Sequence, residues 1–451
     1  MAAPGARLFI IMVLVGLWCS IPPGAAMDLR WNATVAGTTD IAIADDGSRV
    51  IVGTNTGYAV VFDEEGALVW EKRVPGTLLV GCVGAGDAFV LVSRELRENN
   101  KGGIRYFDGN GSQQWLVNTG WVTALAVSGR TGRIAAGNAV GDTVVLDEYG
   151  GEVAGFDDFP KSYSICTLAL SDDGRSGAYA NAERNPQVKY ITISSRSKKT
   201  FARPYSATTV YADNEPIRQV ALSGDGAYVS TAGGEGSHGL ITLYTKGGSR
   251  LWQQSSPRIN DLAINGNGSC IFTATDDGGV SCYGRAGGVA WTYDTGAPVR
   301  SIAYSPERKV LAAGNAAGDL FLLSETGDLL WTGRVACFPS GAVTRVVLSR
   351  DGYALVVLAD MRCLFSYAES TALPESGTPA SHDPGEPLPL ETGGPGSQDF
   401  APPAGELPLP GVYLFPPGNP GSSTPAAGNT SFPAWFSPYP LFNVTGLVRT
   451  G

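Results

Sequence analysis

Charged residues and histidines are scarce in this chain. Only 16% of its 451 residues are charged, the net charge is −10, and the two histidines are His238 and His382. Binding to nucleic-acid phosphates requires clustered Lys and Arg, so this composition argues against a nucleic-acid partner. Two histidines exclude a His-based zinc or haem cluster. They also argue against a Ser-His-Asp triad, because His382 lies in the Pro-rich end of the chain.

Long hydrophobic runs are absent from the sequence after residue 26. Residues 1–26 combine a basic residue, Arg7, an apolar stretch from Leu8 to Trp18, and small residues at 24–26, which is the pattern of a secretory signal. The apolar stretch is shorter than the roughly 20 residues that span a bilayer. We expect export with cleavage after Ala26 and no spanning segment thereafter; the alternative is an uncleaved N-terminal anchor.

Glycine, by contrast, is abundant, with 60 residues, and it recurs in a pattern that ends in tryptophan. The pattern occurs in GALVWEKRV (66–74), GSQQWLVNT (111–119), GSRLWQQSS (248–256), GGVAWTYDT (287–295) and GDLLWTGRV (327–335). Each copy follows three alternating apolar runs that are separated by glycine-marked turns. Alternation with a period of two is typical of half-buried strands. Four such strands in about forty residues form one blade of a β-propeller.

The spacing of the repeats predicts the number of blades. Neighbouring tryptophans of the pattern are 39 to 45 residues apart, and the interval from Trp115 to Trp252 has room for three such steps. Two fourth strands in this interval therefore lack tryptophan, and we place them at 150–158 and 194–202. Counted in this way, the chain contains eight triplets of inner strands.

The last inner triplet, at 343–367, is followed by no fourth strand because the sequence becomes Pro-rich. MDLRWNATV (27–35) matches the fourth-strand pattern and has no triplet before it. The sequence therefore predicts an all-β, eight-bladed β-propeller over 27–368 that is closed by its N-terminal strand. Closure of this kind removes an exposed sheet edge. The alternative is a seven-bladed ring with 27–35 as a leader.

Composition changes sharply at Glu369. Seventeen of the 29 prolines fall in residues 369–451, together with many Gly, Ser and Thr. Proline cannot donate to a sheet, and such a composition buries too little apolar area to order itself. This part of the chain is predicted to be a disordered tail.

The GxxxW repeat resembles the tryptophan-docked repeats of quinoprotein dehydrogenases and of the related non-catalytic PQQ-like propellers. The S-x-D-G turns are similar to those of WD-repeat proteins. The resemblance covers residues 27–368. It implies that the repeat tryptophan packs between adjacent blades and does not bind a ligand. The tryptophans in this role are Trp31, Trp70, Trp115, Trp252, Trp291 and Trp331.

By the same resemblance, a catalytic quinoprotein holds its quinone with calcium ligands, an Asp base and often a vicinal Cys pair. No Cys-Cys occurs in this sequence, and the acid and amide ligands map onto no blade. Asp45–Asp46, Asp172–Asp173 and Asp276–Asp277 each precede glycine at parallel positions. This predicts hairpin turns rather than acid–base pairs or calcium ligands. We expect no catalytic residue, no cofactor and no metal site.

Six cysteines follow the signal: Cys82, Cys166, Cys270, Cys282, Cys337 and Cys363. An even count in an exported protein permits disulfides. Cys282 and Cys363 nevertheless occupy third-strand positions that are apolar in other blades, which permits buried thiols. A turn centred on Asp277–Gly278 pairs residue 273 with Cys282, so no disulfide pairing follows from the sequence.

Acceptor sequences for N-glycosylation occur at Asn32, Asn110, Asn267, Asn429 and Asn443. Asn110 and Asn267 fall in predicted turns, where an exported glycosylation machinery would reach them.

The connections between strands differ in length at the two faces of the predicted ring. Turns between first and second and between third and fourth strands are short and uniform, whereas the connections at 93–103, 182–187, 203–216 and 233–239 belong to the opposite face. Loops held by a rigid scaffold usually carry function. We therefore predict a ligand face there; the alternative is neutral loop variation. Its residues are Arg94, Arg97, Lys101, Arg184, Tyr205, Tyr211, Asp213, Glu215 and His238.

Together these observations predict a non-enzymatic, exported propeller that acts as a protein- or glycan-binding scaffold at the cell surface. The resemblance leaves two alternatives: a PQQ-dependent dehydrogenase with its site in the central funnel, and an envelope protein-assembly factor.

Overall fold

The computed structural model describes residues 27–74, 76–84, 88–94, 102–156, 164–181, 187–193, 207–211, 216–369 and 412–414. Every helix or strand assigned in these residues is a β-strand, as the period-two alternation predicts. Within the same ranges, no helix has the length and apolar character needed to cross a membrane. The predicted signal at 1–26 lies outside the described residues.

The described strands form eight sheets, which are the eight predicted blades. The first strand, β1 (Met27–Val35), belongs to the last sheet. Blade one contains β2 (Thr38–Ile43), β3 (Arg49–Thr54), β4 (Tyr58–Asp63) and β5 (Leu68–Arg73), and blade two contains β6 (Thr77–Val83), β7 (Ala88–Arg94), β8 (Gly102–Asp108) and β9 (Gln113–Asn118). Blade three contains β10 (Val122–Ser128), β11 (Arg133–Asn138), β12 (Thr143–Leu146) and β13 (Glu152–Phe156), and blade four contains β14 (Ile165–Leu170), β15 (Ser176–Asn181), β16 (Gln187–Thr192) and β17 (Ala207–Tyr211).

The same order continues in the second half of the ring. Blade five contains β18 (Ile217–Leu222), β19 (Tyr228–Gly233), β20 (His238–Thr245) and β21 (Arg250–Pro257), and blade six contains β22 (Ile259–Ile264), β23 (Cys270–Thr275), β24 (Gly279–Gly284) and β25 (Val289–Asp294). Blade seven contains β26 (Val299–Ser305), β27 (Val310–Asn315), β28 (Asp319–Ser324) and β29 (Leu329–Arg334). Blade eight contains β30 (Val343–Leu348), β31 (Ala354–Ala359), β32 (Cys363–Glu369) and, as its fourth strand, β1.

The N-terminal strand therefore closes the ring, and eight blades rather than seven are confirmed. β1 pairs antiparallel with β32, from Met27 opposite Glu369 to Thr34 opposite Cys363. The outer edge of β1 pairs with β33 (Val412–Leu414). Apart from Glu369, these three residues are the described part of the predicted tail.

The fourth strand of blade four corrects one sequence assignment. It is β17, in which Val210 lies opposite Val188, and not the segment 194–202. The prediction placed this strand too early because it assumed a short connection after the third strand. The true strand, ATTVY, is rich in the β-branched and aromatic residues that suit a pleated sheet, whereas SSRSKKT is not. The other tryptophan-free strand, β13, lies within 150–158 as predicted.

Tryptophans of the outer strands join each blade to the next. The Trp31 indole Nε1 donates to the Glu64 carbonyl in blade one at 3.1 Å. Its ring covers Gly66, where an added Cβ would stand only 2.5 Å from it. The same arrangement recurs in Trp70 with Gly111, Trp115 with Gly150, Trp252 with Gly287 and Trp291 with Gly327. The glycine of one repeat therefore receives the tryptophan of the preceding repeat, which requires a residue without a side chain.

Trp331 of blade seven packs differently. Its ring lies edge-on to Tyr367 in β32, with the ring centroids 5.4 Å apart. The third strand of blade eight is not joined to β1 by a hairpin, so this blade has no turn glycine for Trp331 to cover.

Polar side chains also join neighbouring blades at the inner strands. Asp261 accepts a hydrogen bond from the Ile302 amide at 2.9 Å, and Asp40 accepts one from the Val80 amide at 3.0 Å. At the closing seam, Arg345 of blade eight pairs with Asp40 of blade one at 2.7 Å. Burial raises the pKa of Asp40, and Arg345 acts against that rise. The closing seam is thus held by an ion pair as well as by Trp31.

Candidate binding face

The two faces of the ring follow from the antiparallel order of strands in each blade. We call the face with the first-to-second and third-to-fourth turns the hairpin-turn face, and the opposite face the loop face. In blade one, for example, the turns at 44–48 and 64–67 lie on the hairpin-turn face, and the turn at 55–57 lies on the loop face. By the bounds of the described strands, Tyr205 falls between β16 and β17, a third-to-fourth connection, so its place on the predicted ligand face was wrong; the cause is the misplaced fourth strand of blade four. The other predicted ligand residues stand in the chain at connections or strand ends of the loop face.

Most of the predicted ligand face lies outside the described residues. His238 is exposed at the start of β20, and its amide donates to the Glu235 carbonyl at 3.1 Å. Arg94 ends β7, and Tyr211 ends β17, so Tyr211 belongs to a strand and not to the predicted loop. The residues outside the described ranges are Arg97, Lys101, Arg184, Tyr205, Asp213 and Glu215. That the predicted residues other than Tyr205 form one site stays a prediction.

A loop that the sequence prediction did not single out carries the most exposed large apolar side chain of the described residues. Phe338 is 84% exposed in the connection from blade seven to blade eight. Cys337, just before it, forms a disulfide with Cys363 at the start of β32. The Asp360 carboxylate accepts hydrogen bonds from the amides of Ser340 and Gly341 at 3.0 and 2.9 Å. Both sides of Phe338 are thereby anchored to blade eight.

The turn that anchors this loop is itself unusual. Asp360 and Met361 have φ values of 49° and 54°, a left-handed conformation that is uncommon for residues other than glycine and costs about 1 kcal/mol or more. Burial acts to raise the pKa of Asp360, but the hydrogen bonds from Ser340 and Gly341 outweigh it and lower the pKa below its ordinary value. Met361 is 39% exposed beside the same disulfide as Phe338. Two exposed apolar side chains thus lie on two connections of the loop face that the Cys337–Cys363 disulfide joins.

The cysteines form two disulfides, Cys337–Cys363 and Cys270–Cys282. The second lies within the β23–β24 hairpin, where Phe272 is opposite Cys282. The sequence prediction of residue 273 was wrong by one, because the turn is centred on Asp277. Cys270 lies two residues from Phe272 on the same face of the strand, which puts it diagonally within reach of Cys282. Cys82 and Cys166 are buried and are not in a disulfide.

The acidic pairs lie in hairpin turns, but not all at the same face. The Asp46 carboxylate accepts from the Ser48 amide, and the Asp173 carboxylate accepts from the Arg175 amide, both on the hairpin-turn face. Asp276–Asp277 joins β23 to β24 and so lies on the loop face. The predicted parallel positions were wrong for this pair, because an Asp-Asp-Gly turn suits either end of a blade.

The candidate glycosylation sites are distributed over three kinds of position. Asn110 and Asn267 are exposed in the β8–β9 and β22–β23 turns of the hairpin-turn face. Asn32 is half-buried within β1, opposite Phe365. Asn429 and Asn443 lie outside the described residues.

Two curated relatives and two solved structures are similar to parts of the chain. Lambda-carrageenases from Pseudoalteromonas carrageenovora and from a Pseudoalteromonas species are 30% identical over 125 residues, which is 26% of this chain and 13% of each relative's length. The C-terminal WD40 domain of Sif2 superposes with a TM-score of 0.60 and 12% identity, over 77% of this chain and 99% of that one. The computationally designed Ika8 protein gives 0.58 and 16%, over 74% and 98%. Identities this low show the propeller fold alone.

A family model matches the chain itself over a greater length. The model carries the name PQQ_2 and the description outer membrane protein assembly factor BamB, and it matches residues 26–158 and 237–355. These ranges include the closing strand, the repeat tryptophans and more than half of the chain. The chain therefore belongs to the PQQ_2 family of β-propellers, the family described as outer membrane protein assembly factor BamB.

Proposed function

We propose that this chain is a non-catalytic scaffold that binds a protein partner outside the cytoplasm, at the cell surface, through its loop face. The observation that carries the proposal is Phe338, 84% exposed on a loop that is anchored by the Cys337–Cys363 disulfide and by Asp360. Protein interfaces draw much of their affinity from a few aromatic anchors. An anchor that is held in place before binding loses less conformational entropy when the partner arrives.

The choice of a protein as the partner is supported by the description of the family. The description of the family names an assembly factor, a role that consists in acting on other proteins. The likeness to lambda-carrageenase extends over a quarter of the chain and favours a glycan instead. A protein partner is the better-supported choice because its family match is twice as long, and a glycan is one outcome of the test below.

An extracytoplasmic location is supported by the two disulfides. Disulfides form and persist in oxidising environments, and they are rare in the cytosol. Cys270–Cys282 and Cys337–Cys363 therefore favour an extracytoplasmic location, in agreement with the signal pattern at 1–26. Exposed acceptor sites at Asn110 and Asn267 lie on the hairpin-turn face, so glycans attached there would leave the loop face uncovered.

The proposal is tested by photo-crosslinking in intact cells. A benzophenone amino acid replaces Phe338 in one version of the full chain and Tyr149 in another. Tyr149 is a matched control because it is 78% exposed but lies in the β12–β13 turn on the hairpin-turn face. We expect a discrete protein adduct from position 338 and none from 149. The captured protein, purified separately, should bind the parent chain and bind the F338A variant at least tenfold more weakly, as expected for the loss of an aromatic anchor worth about 2 kcal/mol.

Two results contradict the proposal. Equal adduct yields at both positions would mean that the loop face has no special role. Binding of the purified parent chain to immobilised sulfated polysaccharide, without a protein adduct at position 338, would assign the chain to glycan recognition instead.

A further inference from the structure

The innermost residues of the hairpin-turn face belong to the turns that join the first strand of a blade to the second. The Asp45 amide donates to the Gly84 carbonyl in blade two at 2.9 Å, and the Arg350 amide donates to the Asp45 carbonyl at 2.8 Å. In the same way, the Asp172 amide donates to Gly224 of blade five at 3.1 Å. These backbone bonds pass from blade to blade around the mouth of the central channel. Several of the positions are glycine, which leaves space for the few that carry long side chains.

Arg350 uses this space to reach across the ring. Its Nη2 lies 3.1 Å from Asp172 Oδ2, and its Nε lies 3.2 Å from Glu307 Oε1. Arg350 belongs to blade eight and Asp172 to blade four, which stand opposite each other in a ring of eight. The side chains of both residues are less than a fifth exposed. The contact therefore spans the channel mouth and is shielded from solvent.

Asp45 adds a third carboxylate to this cluster. An added Cβ at Gly129 of blade three would stand 2.6 Å from the Asp45 carboxylate, so that glycine leaves the room in which the carboxylate lies. The described charged or titratable groups that interact with Asp45 are Arg350, Asp172, Glu307, Asp46 and the buried thiol of Cys82. Burial and the neighbouring carboxylates raise the pKa of Asp45 to about 6, although Arg350 acts in the opposite direction. Three carboxylates thus compete for one guanidinium.

We propose that Asp45, Asp172, Glu307 and Arg350 form an ionic latch that ties opposite blades across the channel mouth and is tighter in mildly acidic than in neutral solution. When Asp45 is protonated, the positive charge of Arg350 is shared by Asp172 and Glu307 only. When Asp45 is ionised, the cluster carries three negative charges and one positive charge in a partly buried volume. The repulsion among the carboxylates then weakens the contact between blades four and eight.

The direction of the pH effect follows from linkage. The folded protein holds the Asp45 proton up to about pH 6, whereas an unfolded aspartate releases it near pH 4. The folded state therefore gains stability from this group as the pH falls from about 7 towards 4, and it loses that gain as the pH rises through about 6.

The first test compares D45N with the parent chain. The unfolding temperature of the full chain is measured at about pH 5 and about pH 7.5. We expect D45N to unfold roughly 1–3 °C above the parent at the higher pH and within error of it at the lower pH. D46N is the matched control, because Asp46 is the exposed neighbour in the same turn. An equal offset between D45N and the parent at both pH values would overturn the switch.

The second test removes the cation with R350Q. Without the guanidinium the three carboxylates repel one another, so we expect a fall in unfolding temperature that is larger at about pH 7.5 than at about pH 5. Infrared titration of the carboxylates should also show the Asp45 transition moving upward from about pH 6. R175Q is the control, because Arg175 makes an exposed, 4.0 Å contact with Asp173 on the same face. If R350Q behaves like R175Q at both pH values, the latch does not exist.

Discussion

The two faces of the ring are held together in different ways. On the hairpin-turn face, backbone bonds pass between blades, as from the Asp225 amide to the Gly266 carbonyl at 2.9 Å, and five glycines of the described third-to-fourth turns lie under a neighbour's tryptophan. On the loop face, comparable bonds of the connections stay within one blade except at the closing seam, where the Thr38 amide donates to the Met361 carbonyl at 3.0 Å. The Asp276 amide, for instance, donates to the Arg258 carbonyl just before the first strand of the same blade.

This difference explains the lengths of the connections. A third-to-fourth turn that receives a neighbour's tryptophan, or a first-to-second turn that is bonded to a neighbour's backbone, cannot gain or lose residues without breaking that contact. A loop that is bonded to its own blade is free of that constraint. The short turns of one face and the irregular loops of the other thus have one physical cause. The exception on the hairpin-turn face is the long connection from β16 to β17, and β13, the fourth strand of the preceding blade, has no tryptophan to cover it. It also follows that the loops of the loop face, which make fewer backbone bonds to neighbouring blades, are the less constrained of the two sets.

The largest expected effect comes from removing the closing strand. Deletion of residues 27–35 takes away Trp31, Ala33 and Val35, which are buried, and leaves the β32 edge unpaired. Loss of a buried Trp alone costs about 3–5 kcal/mol. We expect the ring to lose its cooperative thermal transition, so that both faces are lost together. The measurement is differential scanning calorimetry of the deletion variant.

The control for this deletion is a chain that begins at Met27, which retains β1. It should keep the cooperative thermal transition of the full chain. A deletion of 27–35 that keeps the parent's transition would contradict closure by β1.

A smaller effect is expected from single Gly-to-Ala substitutions, which should cost more stability on the hairpin-turn face than on the loop face. Gly287 on the hairpin-turn face and Gly236 on the loop face both have positive φ, of 89° and 61°. An added Cβ at Gly287 meets the Trp252 ring at 2.8 Å, whereas at Gly236 nothing lies within 4 Å. G236A should therefore cost about 1 kcal/mol, for the backbone alone. G287A should cost about 2–4 kcal/mol, because overpacking adds to that strain.

Chemical denaturation of G236A and G287A measures this difference directly. Equal free energies of unfolding would mean that the tryptophan contact adds nothing to the seam between blades five and six.

The fold was predictable from the sequence to the extent that it repeats. MDLRWNATV was recognised as the closing strand because it shares its pattern with GDLLWTGRV (327–335) and because eight inner triplets required a partner. β17 was misplaced because its strand has neither the tryptophan nor the preceding glycine of the other repeats. Local periodicity alone does not indicate how long a connection is.

The candidate sites were far less predictable. The exposure of Phe338 depends on a bond between Cys337 and Cys363, which lie 26 residues apart, and on the path of one connection. The even number of cysteines was the available signal, but Cys363 also fitted an apolar position of a third strand, so the sequence left the pairing open. Arg350 and Asp172 are 178 residues apart and meet only because the ring brings opposite blades together. No local pattern carries that information.

The central claim, that contacts between blades constrain the turns of the hairpin-turn face more than the loops of the loop face, is tested most directly within blade five. In one variant, Gly-Ser-Gly-Ser is inserted after Gly224 in the β18–β19 turn, beside the bond from the Asp225 amide to the Gly266 carbonyl. In the other, it is inserted after Gly236 in the β19–β20 loop, on the loop face of the same blade. Lengthening a loop costs well under 1 kcal/mol by itself. We predict that the insertion after Gly224 lowers the unfolding temperature by at least about 5 °C and that the insertion after Gly236 changes it by less than about 2 °C. Equal losses from the two insertions would contradict the account.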